Sequence, residues 1–223
     1  MYVLGVMYDF FQLSRTEGLL AIEKHIEDPD NSEIFQKYPA VLAKKDIVYF
    51  LCDSFRLMLV GDLPSHDLES IMESDAEVRL HEGMKPANIV QKMGDSLPGL
   101  GIVAAVLGIV ITMQAIDGPP EEIGHKVGAA LVGTFLGVLM SYGFIQPIAT
   151  HLELENEEEV KILEVIKAGL TAFSKGLHPL YAVEFARRGI LTDMRPTFLQ
   201  MEERLKEVKQ TANVEGNSVG GGA

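Results

Sequence analysis

The chain has 223 residues, of which 47% are hydrophobic and 23% charged; this excludes a disordered polymer with too little apolar surface to offset its ordering entropy. Its 32 acidic residues against 19 basic ones leave a net charge of −13, the wrong sign for neutralising a phosphate backbone, so nucleic acid is excluded as a partner. The single cysteine, Cys52, cannot form an internal disulfide and sits in an apolar helical run, where free cysteine behaves as a small buried hydrophobe.

Residues 1–95 read as short helices broken at proline and glycine. Leu19, Leu20, Ile22 and Ile26 mark one apolar face, with Glu17, Glu23, Lys24 and Glu27 mostly opposite, and Asp28-Pro29 stops that helix. A second helix runs from Ile47 through Phe50, Leu51 and Phe55 to Leu59 and is ended by Gly61. Pro64-Ser65 opens a third, expected to reach about Leu80, and Lys85-Pro86 starts the lead-in to the next segment.

The mean hydropathy of +0.15 hides two very apolar stretches between charged flanks. Ser96–Ile116 is 21 residues and Val127–Thr150 is 24 residues, and neither contains Asp, Glu, Lys, Arg or His. At about 1.5 Å per residue each covers roughly the 30 Å of a bilayer core, whereas buried helices of soluble proteins are shorter and keep a polar face. The connection over 117–126, DGPPEEIGHK, carries adjacent prolines and two glycines, so the spans form an antiparallel hairpin. That loop holds only Lys126, while Arg79, Lys85, Lys92, Lys161 and Lys167 flank the outer ends; the bias predicts cytoplasmic termini and a periplasmic loop. Gly101 with Ala105, Ala104 with Gly108, Gly133 with Gly137, and Gly137 with Ser141 place small residues four apart, the spacing that lets helix backbones approach in lipid.

Charge returns at His151–Lys161 with an acidic band read as a solvated helix face. Val160, Leu163, Ile166, Leu170 and Phe173 keep helical spacing, so the second span is expected to continue as a cytoplasmic helix until Gly176 and Pro179. Two further helices are predicted, over 181–189 and from Pro196 to about Gln210, with 211–223 a flexible tail. The predicted fold class is therefore an all-α membrane protein: cytoplasmic helices over 1–95, a transmembrane hairpin over 96–150, and cytoplasmic helices over 151–210.

Enzyme readings find no support. The six histidines include no pair four apart and no HExxH, so no metal ligand set is predicted, and Cys52 lacks a CxxC partner. Gly99, Gly101 and Ala104 match a dinucleotide pattern, but they precede a membrane span and follow no strand. Proton relays use buried carboxylates or histidines, and neither span has one, so any titrating group must come from a partner. The span hydroxyls, Thr112, Thr134 and Ser141, are expected to bond back to carbonyls of their own helices.

The segments DSLPGLGIVAAVLGIV, VGAALVGTFLGVLMSYGFIQPIA, SRTEGLLAIEKHIEDP and LYAVEFARR followed by RPTFLQMEERLKEVK resemble, in order along nearly the whole chain, the A subunit of the bacterial flagellar motor stator, the MotA/PomA family. The resemblance implies an inner-membrane ring of five A subunits around two B subunits, with ions passing a B-subunit aspartate. It implies that Pro98 and Pro147 couple ion passage to movement, that Ala105 and Thr134 face the ion-carrying region, and that Arg15 and Glu23 engage the rotor protein FliG. Gly101, Gly108, Gly133 and Gly137 are expected to pack the spans. Sodium-driven relatives commonly carry threonine where Ala105 stands, so protons are the expected coupling ion, with no cofactor. Family members have two further membrane helices before the stretch matched by Met1–Leu13, so the chain reads as N-terminally short. A non-conducting membrane scaffold or fragment, and a TolQ/ExbB-like energiser, are the alternatives.

Overall fold

The computed structural model describes residues 1–61, 63–114 and 116–206, and every regular element among them is helical. The tail expected over 211–223 and the last residues of the helix expected to reach Gln210 lie outside the described residues. The helices group into two compact units, Val78–Glu158 in one and Met1–Glu77 with the residues from Glu159 onward in the other.

The second of these units opens with α1 (Tyr2–Glu17), a 3₁₀ turn (Leu19–Ile22), α2 (Glu23–Glu27), α3 (Glu33–Gln36), α4 (Pro39–Leu42) and α5 (Lys45–Val60). α1 and α5 both stop at glycines with positive φ, Gly18 at 92° and Gly61 at 85°, a backbone conformation that other residues rarely adopt. The single helix expected around Leu19–Ile26 is split. The tighter 3₁₀ turn rotates each residue further round the axis, which moves Leu20 off the apolar face and leaves it 73% exposed, while Ile22 and Ile26 stay buried.

An aromatic cluster forms the core of this unit. Phe10 meets Phe35 edge-on at 5.2 Å and Phe55 at 5.0 Å, and Phe11 stacks on Phe173 at 4.3 Å, tying α1 to the distal end of the long helix that follows the second span. Cys52 is 1% exposed, and burial pushes its thiol up to about 12, as an inert core residue requires. His25 is buried with Nδ1 2.9 Å from Ser32 Oγ, and that serine also accepts from Phe35 N to cap α3.

α6 (Ser65–Met113) is 49 residues long and runs unbroken through Pro86 and Pro98. The expected end near Leu80 is thus corrected: a proline removes one hydrogen bond, and at Pro86 the carbonyl left over, that of exposed Glu82, can be hydrated. After the connection, α7 (Pro120–Met140), a π turn (Ser141–Ile145) and α8 (Gln146–Ser174) continue as one helix, as expected from the apolar spacing beyond Val160. Gly176, at φ 82°, follows its end, and α9 (Pro179–Gly189) and a helical stretch over 198–206 complete the described chain. On α9, Arg187 grips Glu184 at 2.6 and 2.7 Å and also donates to the carbonyl of Pro196; with Arg188 adding a third bond, the Glu184 carboxyl is pushed down to about 2.

Within Val78–Glu158 the two long helices pair along a seam of period seven. On α6, positions 80, 87, 94, 101 and 108 are Leu, Ala, Gly, Gly and Gly, and positions 83, 90, 97 and 104 are Gly, Val, Leu and Ala. Opposite them, Thr134 and Ser141 keep the same period, which would continue at 148 and 155. The inward positions beyond are instead Ala149, which is buried, and Asn156, which donates to the carbonyl of Leu80 at 3.0 Å. The π turn between them, closed by Gln146 N donating to Ser141 O, adds the one residue that keeps the seam in contact.

Candidate functional site

The seam between the two apolar segments is built from missing side chains. A Cβ on Gly101 would lie 2.8 Å from Gly133 O and 3.1 Å from Thr134 Cα, and one on Gly137 would lie 2.6 Å from Leu97 O. A Cβ on Gly108 would meet Ala130 Cβ at 2.5 Å, and one on Gly133 would meet Ala104 Cβ at 3.0 Å. The four glycines singled out by spacing therefore all stand where the two backbones touch. In a lipid solvent this contact rests on dispersion and hydrogen bonding, because apolar side chains gain little by leaving apolar surroundings.

Hydroxyls cross the seam. Thr112 bonds back to Gly108 O at 2.8 Å, as expected, but Thr134 Oγ1 donates across to Gly101 O at 3.4 Å and Ser141 Oγ donates to Gly94 O at 2.7 Å. The back-bonding expectation is corrected for these two, because the glycines opposite bring foreign carbonyls within reach. Beside Ser141, Gln146 Nε2 donates to Asp95 Oδ1 at 3.1 Å, and Gln91 Nε2 donates to the same oxygen at 2.9 Å. Gly94 and Asp95 leave no mark in the sequence because their partners lie 47 and 51 residues away on the other helix, whereas Gln91 meets Asp95 four residues along its own helix.

Pro98 is half-buried one turn beyond Gly94, and Pro147 is exposed just after the π turn. Ala105 and Thr134 are half-buried; Ala105 follows the seam residue Ala104, and Thr134 lies on the seam itself. Away from the seam, the outer faces carry exposed Leu100, Val103, Val106, Leu131, Phe135 and Leu139 and no charge, the surface of segments long and apolar enough to cross a membrane. Arg15 and Glu23 belong to the other unit and are both exposed, Arg15 in the last turn of α1 and Glu23 in the first turn of α2. Each sits at the helix end whose partial charge its own complements. Among the described residues no three His, Cys, Asp or Glu side chains gather as a metal site.

The chain is similar to known proteins in sequence and in fold. The chain is 38% identical to motility protein A of Salmonella typhimurium and 39% identical to that of Escherichia coli, each over 209 residues that make up 94% of this chain and 71% of the relative. Among solved structures, the flagellar MotAB stator complex of Bacillus subtilis superposes with a TM-score of 0.64 at 27% identity, covering 89% of this chain and 67% of its own. A MotAB structure from C. jejuni shares the fold with a TM-score of 0.72 at 19% identity, covering 87% and 69%. Residues 43–165, which include both apolar segments and the whole seam, match the MotA/TolQ/ExbB proton channel family, and the chain belongs to that family.

Proposed function

We propose that the chain is the A subunit of a bacterial flagellar motor stator, which turns proton flow into torque without covalent catalysis. The observation that carries this reading is a membrane hairpin closed on itself by glycine, bearing prolines at the point of closest polar contact, with no acid in either span. Such a hairpin can move but cannot bind a proton, so a B subunit supplies the aspartate. Five copies surround two B subunits in the inner membrane, embedded in lipid, with both chain ends in the cytoplasm. Ala105 and Thr134 border the ion route, Pro98 and Pro147 couple it to helix movement, and Arg15 and Glu23 meet FliG through complementary charge, a contact that registers more than it binds.

The energetics favour small steps. One charge crossing 100 mV releases about 2.3 kcal/mol, while driving a two-state element from 1:99 to 99:1 takes about 5.5 kcal/mol. Each proton therefore biases a bend rather than flipping a domain.

Complementation of cells that lack the A subunit, with the B subunit supplied, tests the reading. The chain should restore swimming, whereas Pro98→Leu and Pro147→Leu should reach the membrane and leave the cells paralysed. Membrane localisation of the parent without swimming would make it a scaffold instead, and normal swimming with either proline variant would remove that proline from the coupling step.

A further inference from the structure

In an α-helix the carbonyl of residue 94 accepts from the N–H of residue 98, and here residue 98 is proline and has none. Unlike the carbonyl freed by Pro86, this one is not on an exposed face: Gly94 is buried, and a Cβ added to it would stand 3.2 Å from Gln146 Cγ and 3.3 Å from Ile145 Cγ2. An unpartnered carbonyl in such a place would be costly. The donor that reaches it is Ser141 Oγ at 2.7 Å, from a serine that is 0% exposed. Ser141 is also the first residue of the π turn, and its own carbonyl receives the Gln146 N–H immediately before Pro147. One serine thus touches the defect left by Pro98 through its hydroxyl and the widened turn ahead of Pro147 through its carbonyl.

We propose that Ser141 is a positioning residue for the coupling step: its hydroxyl replaces the N–H that Pro98 withholds from Gly94 and joins the two proline defects into one junction. The hydroxyl has a second acceptor available within its own helix, the carbonyl of Gly137 four residues back, the usual partner for a helical serine. Bending α6 at Pro98 away from the seam would pass the Ser141 hydroxyl from Gly94 to Gly137, so neither end state leaves it without a partner. The junction then has two discrete arrangements, the second of which leaves the Gly94 carbonyl without its donor and so lies higher, and an ionic bias acts on the balance between them. The role in coupling rests on the stator reading; the hydrogen-bond replacement does not.

A double-mutant cycle on the full chain co-purified with its B subunit tests both parts. Ser141→Ala should lower the melting temperature by about 2–10 °C when residue 98 is proline. In a Pro98→Ala background, where the restored N–H can reach Gly94, the same substitution should cost less than a third as much. Ser141→Cys, a weak donor of similar size, should fall between serine and alanine. If Ser141→Ala alone does not accumulate, recovery of the Pro98→Ala/Ser141→Ala double variant supports the replacement, and failure of both overturns it; equal costs in the two backgrounds also overturn it. In swimming assays Ser141→Ala should reduce ring expansion at least twofold while the complex still assembles, with Ser141→Cys intermediate. A coupled cycle with unimpaired swimming would overturn the role in coupling, whereas a parent chain that never supports swimming would overturn the stator reading and leave the cycle as the measure of the bond.

Discussion

At the scale of single residues, the glycines of the seam leave no room for addition. Gly137→Ala would put a methyl 2.6 Å from a backbone oxygen that cannot rotate away, so we expect a loss of about 1–3 kcal/mol and impaired swimming. Gly128→Ala, with nothing within 4 Å of the new methyl in this chain, should be neutral or slightly stabilising by helix propensity. Thermal melts of the two variants side by side check this, and similar losses in both would mean that the close approach is not what glycine serves. His25 offers a separate probe. Its burial, with Lys24 and Lys37 adding to it against Glu33 and Glu17, holds the ring below the ordinary value of 6.5, so the unfolded chain binds a proton more readily than the folded one. The stability conferred by the neutral ring is present above about pH 6.5 and is lost as pH falls through the lowered value. The melting temperature should drop between pH 7.5 and pH 5, and drop less in His25→Gln; parallel curves would show that another group titrates. Residue types were only partly readable: Cys52 was evident as core from its apolar neighbours, and the glycines from their spacing. The cross-helix roles of Thr134 and Ser141 were not, because a hydroxyl in a helix has a local acceptor by default and only the partner's missing side chain redirects it.

At the scale of elements, the π turn is a one-residue correction with a second use. It restores the period-seven contact and also places Pro147 beyond a turn wide enough to spare its ring the carbonyl of residue 143. Deleting Gly143 should turn the π turn into an ordinary one, keep the seam in register on both sides, and cost about 3 kcal/mol through the proline clash. Adding Pro147→Ala should recover most of that loss, whereas deleting Leu154, beyond the π turn, should slip the register and resist the same rescue. Co-purification with the B subunit and melting temperature read both outcomes, and a Gly143 deletion no more stable with alanine at 147 would refute the account. The long helix through Val160 was legible because its apolar spacing persists past the second span. The continuity of α6 was hidden, since proline ordinarily marks a boundary and the solvent exposure that forgives Pro86 belongs to the folded state. α1 is masked in the sequence although Leu4, Met7, Phe10 and Phe11 are all buried: Gly5 among them reads as a breaker, yet a Cβ there would strike the ring of Tyr38, which is why glycine occupies it.

At the scale of the whole molecule, charge distribution told more than any motif. Two windows free of charge, separated by ten residues with adjacent prolines, sufficed for the hairpin. The compact units divide at residues 77/78 and 158/159, inside continuous helices, because compactness follows contacts that composition does not record. The proposed orientation can be checked with the chain's own chemistry. Cys52 is shielded, so a cysteine placed at exposed Glu121 should be the one thiol that a membrane-impermeant maleimide modifies in intact cells with a permeabilised outer membrane. Labelling only after inner-membrane lysis would invert the topology. The spans' lack of ionised groups has a further electrical meaning. The two antiparallel helices carry opposed dipoles that largely offset one another, so tilting the pair through the bilayer displaces almost no charge and the membrane voltage does almost no work on it directly. The paired spans carry almost no gating charge, and any voltage dependence of their movement should report the valence of the travelling ion.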